Sequence, residues 1–156
     1  MAITPAAVLM LFAAGLALAA DPFVGTWKPN PDKWKDSPGA PTSRKSEALK
    51  LEALANHYRQ TQYTLDGKPV MRADRKTLAT SDFFLDGKEY QMGMMTIVGQ
   101  RIDERHFKET AKGEKGTSII EYVVSADGKT LTVTRKGTGT NTGRTLDEVH
   151  VYDKQQ

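Results

Sequence analysis

Residues 119–136 read IIEYVVSADGKTLTVTRK, two runs rich in β-branched and aromatic residues separated by Asp127-Gly128. Asp-Gly between alternating apolar positions is among the strongest short-range hairpin signals, because a two-residue type I′ turn needs positive φ at both central positions. Taking Asp127 and Gly128 as the loop sets a register. Val124 then faces Leu131, Tyr122 faces Val133 and Ile120 faces Arg135, all on one side of the ribbon. The other side pairs Val123 with Thr132 and Glu121 with Thr134. The first side is far more apolar, so it is expected to point inward. A bulged turn would shift the register by one and invert both faces.

The same tripeptide, Asp-Gly-Lys, recurs at Asp66 and Asp86, unequally spaced, so it is turn chemistry recurring and not a structural repeat. At Asp86-Gly87 the two-residue reading pairs Phe83 with Tyr90 across the strands. From residue 58 onward the alternation predicts strands over 58–65, 69–76, 77–85, 89–95, 97–103, 106–112, 117–125, 130–136 and 145–154. Upstream, 23–28 reads as a first strand, and 29–41 carries Pro29, Pro31, Pro38 and Pro41, which rule out a regular strand or long helix and read as an ordered coil. Trp34 is placed to pin this coil to the domain. Residues 46–55, SEALKLEALA, have helix propensity but also permit alternation, and their position between two β regions favours a strand. So long an antiparallel meander buries one face most economically by closing on itself. The expected fold is all-β, a single antiparallel up-and-down barrel of about eight to ten strands.

Residues 1–20 contain no charged side chain and end near Ala17-Leu18-Ala19, the small-x-small form of a signal-peptidase site. The reading is a cleaved signal peptide over 1–20 and one exported domain over 21–156, periplasmic or secreted, with an uncleaved anchor as the rival. The apolar run is shorter than the roughly 20 residues of a membrane span, so none is expected in the mature chain. With no cysteine there is no disulfide, thiol nucleophile or Cys-ligated metal. The 22 basic and 19 acidic residues alternate in sign, as in Arg101, Asp103, Glu104 and Arg105. Alternation marks a solvated exterior and speaks against a nucleic-acid stripe.

Gly25-Thr26-Trp27-Lys28 on the first strand, the proline-rich coil, the hairpins, Asp127–Thr134 and the closing VYDKQ segment together resemble the lipocalin and fatty-acid-binding-protein group, the calycins. More narrowly, the chain is similar to small secreted bacterial lipocalin-like proteins. The resemblance implies that Trp27 is a structural plug across the closed end of the barrel, capped by Arg144 or Lys154 through a cation–π contact. Fatty-acid-binding proteins end in an Arg-x-Tyr that holds a ligand carboxylate; here His150-Val151-Tyr152 stands there, with a histidine for the arginine. They also carry a two-helix lid where this chain has its proline coil, so access to any cavity would be gated differently, or the cavity would be filled.

Arg135 is the foremost candidate for chemistry. On the inward face its guanidinium would need an anion or several acceptors, which suggests a carboxylate- or phosphate-bearing ligand. The bland reading is an arginine at a strand end, snorkelling to solvent beside Gly137. The expected ligand set is Arg135, Tyr152 and His150 as polar groups, with Tyr122, Val124, Leu131 and Val133 as the apolar wall. Met92-Gly93-Met94-Met95 could offer thioethers to copper, but His57, His106 and His150 lie at no local ligand spacing, so no metal and no cofactor is expected. The glycine/threonine-rich 137–143 leads into a strand, not a helix, and so reads as a hairpin loop. No catalytic constellation is local, and Asp103, Glu104, Glu109 and Glu121 sit in no context implying a raised pKa. The leading expectation is therefore a non-enzymatic carrier or sequestering protein for a small apolar ligand, fatty-acid-like by resemblance. The alternative is an interaction protein with a filled barrel that contacts a protein partner. Ligand identity and oligomeric state are not legible in the sequence.

Overall fold

A computed structural model of the chain describes residues 21–40, 42–74 and 76–156; the expected signal peptide, 1–20, lies outside the described residues. Ten strands form one antiparallel sheet: β1 Gly25–Pro29, β2 Glu47–Ala53, β3 Tyr58–Thr64, β4 Thr80–Phe83, β5 Asp86–Met92, β6 Met95–Asp103, β7 His106–Lys112, β8 Thr117–Val124, β9 Thr130–Thr138 and β10 Thr145–Lys154. Their spatial order is β4-β3-β2-β1-β10-β9-β8-β7-β6-β5, so the first and last strands pair in the middle of the sheet. The two edge strands, β4 and β5, line one interior cavity, which means the sheet curls on itself with a seam between them. Phe84 helps hold the seam, stacking on Tyr90 of β5 at 4.4 Å. Its carbonyl lies so close to Gly99 of β6 that an added Cβ would come within 2.1 Å. Only glycine allows that backbone approach.

The β8–β9 register is the expected one: Val124 pairs with Leu131, Tyr122 with Val133 and Ile120 with Arg135. The turn is different. Gly128 N–H donates to Ser125 O at 2.9 Å and Ser125 N–H to Thr130 O at 2.8 Å, giving a wider loop centred on the same point. Both loops are even in length, so the faces survive the change of turn type.

The other two Asp-Gly sites depart further. Phe83 pairs with Tyr58, and Tyr90 with Ile97, so the expected Phe83–Tyr90 pair does not form. At Asp66-Gly67 the chain turns, but only isolated bridges follow, Tyr63 to Pro69 and Met71 to Leu78. Among the described residues no strand forms over 69–76, and β3 pairs with β4 instead. Gly93-Met94 forms the unrecognised β5–β6 turn, with Met92 and Met95 paired. Residues 46–55 hold a strand, β2.

Interior and exterior alternate along β7 and the first half of β9. Phe23, Trp27, Leu51, Tyr58, Phe107, Tyr122, Val124, Leu131 and Val133 are buried in one cluster. Trp27 Nε1 donates to Phe23 O at 2.9 Å, and Lys154 Nζ sits 5.0 Å from the indole centroid. Lys154, not Arg144, therefore caps the tryptophan; Arg144 bonds Glu148 instead.

Candidate functional site

Stacked aromatics fill one end of the barrel, with Phe107 4.4 Å from Tyr122 and 4.7 Å from Phe23. Toward the β5–β6 turn the interior is hollow. A cavity of about 360 Å³ is bounded by Leu49, Phe83, Ile97, Ala111, Ile120 and Val133. Polar groups interrupt that wall: Arg44, Glu47, Gln60, Gln62, Ser81, Asp82, Glu109, Ser118 and Arg135 also line it. Met92 and Met95 line it too, whereas Met94 is 79% exposed at the turn. The barrel is thus filled at one end and open inside at the other.

Arg135 reaches this cavity because it lies on the inward row of β9, paired with Ile120 on one side and Glu148 on the other. Its head does not snorkel away. Nη1 donates to His150 Nδ1 at 2.8 Å. A guanidinium only donates, so Nδ1 must accept and the imidazole proton sits on Nε2, 3.1 Å from Asp36 Oδ1. Burial, and after it the charge of Arg135, lowers the pKa of His150, which keeps the ring neutral. Asp36 is in turn held by Lys45 at 2.8 Å, the hydrogen bond that chiefly lowers its pKa. The proline coil delivers this support. Lys35 bridges to Val149, Trp34 Nε1 donates to Val151 O at 2.8 Å, and the indole stacks on His150 at 4.1 Å. The coil runs along β10.

A second guanidinium, Arg44, enters from the 3₁₀ turn Thr42–Ser46 that follows the coil. Burial and the neighbouring Arg135 both lower its pKa, so the two like charges share one region. Glu148, with a fully buried side chain, accepts from Arg144 Nη2 at 2.9 Å and lies 3.7 Å from Arg44 Nη1. Among the described residues no carboxylate lies within ion-pair distance of Arg135. Tyr122 and Tyr152 both line the cavity. Burial pushes the Tyr152 phenol up to about 12 and the Tyr122 phenol up as well, so each offers an O–H at neutral pH.

Of the expected ligand set, Arg135, Tyr152, Tyr122 and Val133 line the cavity. His150 lies behind Arg135 as its support, while Val124 and Leu131 belong to the packed core below. Arg44 and Glu109 went unrecognised. No periodicity marks Arg44, since it follows an irregular coil. Glu109 did carry a signal, because it falls between Phe107 and Ala111 on alternate positions of β7 and so must face inward. Its sequence context suggested no raised pKa, but burial pushes it up to about 8 against the opposing pull of Arg135.

That shift has a measurable consequence. In the unfolded chain Glu109 loses its proton near 4.5, and in the fold near 8, so the folded state alone holds the proton in between. The group's contribution to stability is then full below about 4.5 and falls as pH rises toward 8. Glu109→Gln should therefore gain on the native protein by the order of 3 kcal/mol between pH 5 and pH 8. Urea unfolding across that range measures it; a constant difference would place the group's titration near its ordinary value.

No protein-family model matches the sequence, and no curated protein sequence does. Solved structures share the fold. The fatty acid binding protein of Schistosoma mansoni, in complex with arachidonic acid, aligns over 86% of this chain and 97% of its own at a TM-score of 0.58 and 12% identity. The fluorescent protein UnaG aligns over 86% and 97% at a TM-score of 0.54 and 16% identity. The fatty-acid-binding protein of Manduca sexta aligns over 85% and 99% at 0.51 and 16% identity. The barrel has the fold of these proteins, and at these identities the likeness is one of fold.

Proposed function

We propose that this protein is a non-catalytic binding protein for a small amphiphile whose anionic head meets Arg135 and Arg44 and whose apolar part fills the barrel cavity. The observation that carries the reading is Arg135: an inward arginine on a cavity of about 360 Å³, held from behind by His150, with no carboxylate partner among the described residues. A guanidinium so placed asks for an anion. Neutral His150 and the Tyr152 hydroxyl complete the setting, the first as a support and the second as a donor. The cavity lies at the small end of ligand sites, which favours a compact or short-chain occupant. The reading extends to export, resting on the apolar leader at 1–20, and to the secreted, bacterial lipocalin-like character that the sequence resembles.

Thermal-shift and calorimetric titration with short and medium fatty acids tests it. Binding should raise the melting temperature of the native protein. Arg135→Leu should weaken binding about 10- to 100-fold, the worth of a charge-assisted hydrogen bond. No shift with any acid, together with ligand-free protein recovered from its host, would favour the partner-protein reading.

A further inference from the structure

Glu109 is a buried carboxyl on the cavity to which head-group binding gives no task. It is 6% exposed and lines the cavity, and it has neither a hydrogen bond nor an ion pair among the described residues. Buried polar groups are nearly always partnered, so a carboxyl aimed into an open cavity calls for a partner from the ligand. Its place is defined by the sheet. Glu109 pairs with Ile120, and Ile120 with Arg135, so the two polar residues share one rung two strand spacings apart. That puts their backbones about 10 Å from each other. Gln60, Gln62 and Ser81 carry the polar lining on to β3 and β4.

We infer that the ligand is a hydroxylated amphiphilic acid, and that Glu109 hydrogen-bonds a hydroxyl set apart from the anionic head. The inference rests on the head-group reading above and names the class of ligand within it. Burial, opposed by Arg135, pushes Glu109 up to about 8, so at neutral pH the group carries its proton. It then offers one O–H donor and one carbonyl acceptor, which matches a hydroxyl in both directions. Being neutral, it does not repel a carboxylate at Arg135. A plain methylene chain would leave both of its functions unpaired and desolvated.

The test is titration of the full mature chain with dodecanoic acid and with hydroxydodecanoic acids carrying the hydroxyl near the head, at mid-chain or at the terminus. At least one hydroxy acid should bind the native protein about ten-fold tighter than the plain acid, the worth of one buried hydrogen bond. Glu109→Gln should keep that preference. Glu109→Leu should abolish it while binding the plain acid at least as well as the native protein does. The ratio of two affinities is internal to each variant, so a general loss of stability cannot mimic the result. If the plain acid binds and no hydroxy acid binds tighter, the inference fails and the head-group reading stands. Equal weakening of all acids by Glu109→Leu would make Glu109 a contact of the head and also overturn the inference. If no acid binds at all, both readings fall.

Discussion

Trp27→Ala is expected to lower the free energy of unfolding by about 3–5 kcal/mol, the range for deleting a large buried aromatic side chain. Trp27 is fully buried in the packed aromatic cluster of the core. Its strand, β1, pairs with β2 on one side and β10 on the other, with Trp27 opposite both Leu49 and Lys154. The indole therefore packs where the early and late halves of the chain join. Truncation leaves a void and removes the donor that satisfies Phe23 O at 2.9 Å. It also leaves Lys154 Nζ, now 5.0 Å from the ring centroid, without its aromatic face. The melting temperature should fall by about 10–15 °C for a domain of this size. Trp27→Phe keeps most of the volume and should cost less. Urea unfolding followed by far-UV circular dichroism measures all of this; a loss below about 1 kcal/mol would show that the core collapses around the gap.

The inward face of β8–β9 was legible because its pattern has a period of two and its central turn is symmetric. Any even loop centred on Asp127-Gly128 opposes Tyr122 to Val133 and Ile120 to Arg135, so a mistaken turn type did no harm. The Asp86-Gly87 reading failed for a reason that short-range signals cannot convey. An Asp-Gly pair favours a hairpin turn but does not oblige the chain to make one there. Here Asp86 and Gly87 lie inside β5 at a register shift, β4 stays with β3, and β5 goes to β6. The seam that results is where Met92 on one edge and Ser81 to Phe83 on the other come to line the same cavity.

The site was legible in proportion to how much of it strands supply. Arg135, Tyr122, Val133 and Tyr152 follow from parity alone once the register is known. Histidine at position 150 looked like a weakened ligand for a head group. In the fold it accepts from Arg135 and faces Asp36, so the sequence-distant coil turns it into a brace. Arg44 arrives from a 3₁₀ turn whose placement depends on Lys35, Trp34 and Ser37 binding β10 through Val149, Val151 and Asp147. Such tertiary docking leaves no trace in hydrophobic period.

Glu148→Leu is expected to cost about 3 kcal/mol of stability and to loosen the cation cluster beneath the cavity. Its side chain is fully buried, and its Oε1 accepts from Arg144 Nη2 at 2.9 Å. Among the described residues Oε2 makes no hydrogen bond, but it lies 3.7 Å from Arg44 Nη1 and 4.0 Å from His150 Nε2. Arg135, its partner across β9–β10, adds a third guanidinium to the neighbourhood. One carboxylate thus faces several cations, and removing it leaves them to repel each other in a partly desolvated space. Because Arg44 and Arg144 keep some contact with water, the loss should fall at the lower end of the range for broken buried pairs. Two further measurements separate charge from shape. Glu148→Leu combined with Arg144→Leu should recover part of the loss, since one unpaired cation is gone. A bound carboxylate should stabilise the single variant more than the native protein, because the ligand then supplies the missing negative charge near Arg44 and Arg135. Equal stabilisation of both proteins by the same acid would mean that Glu148 and the ligand act on separate cations, and would remove the electrostatic link between this buried carboxylate and the head-group site.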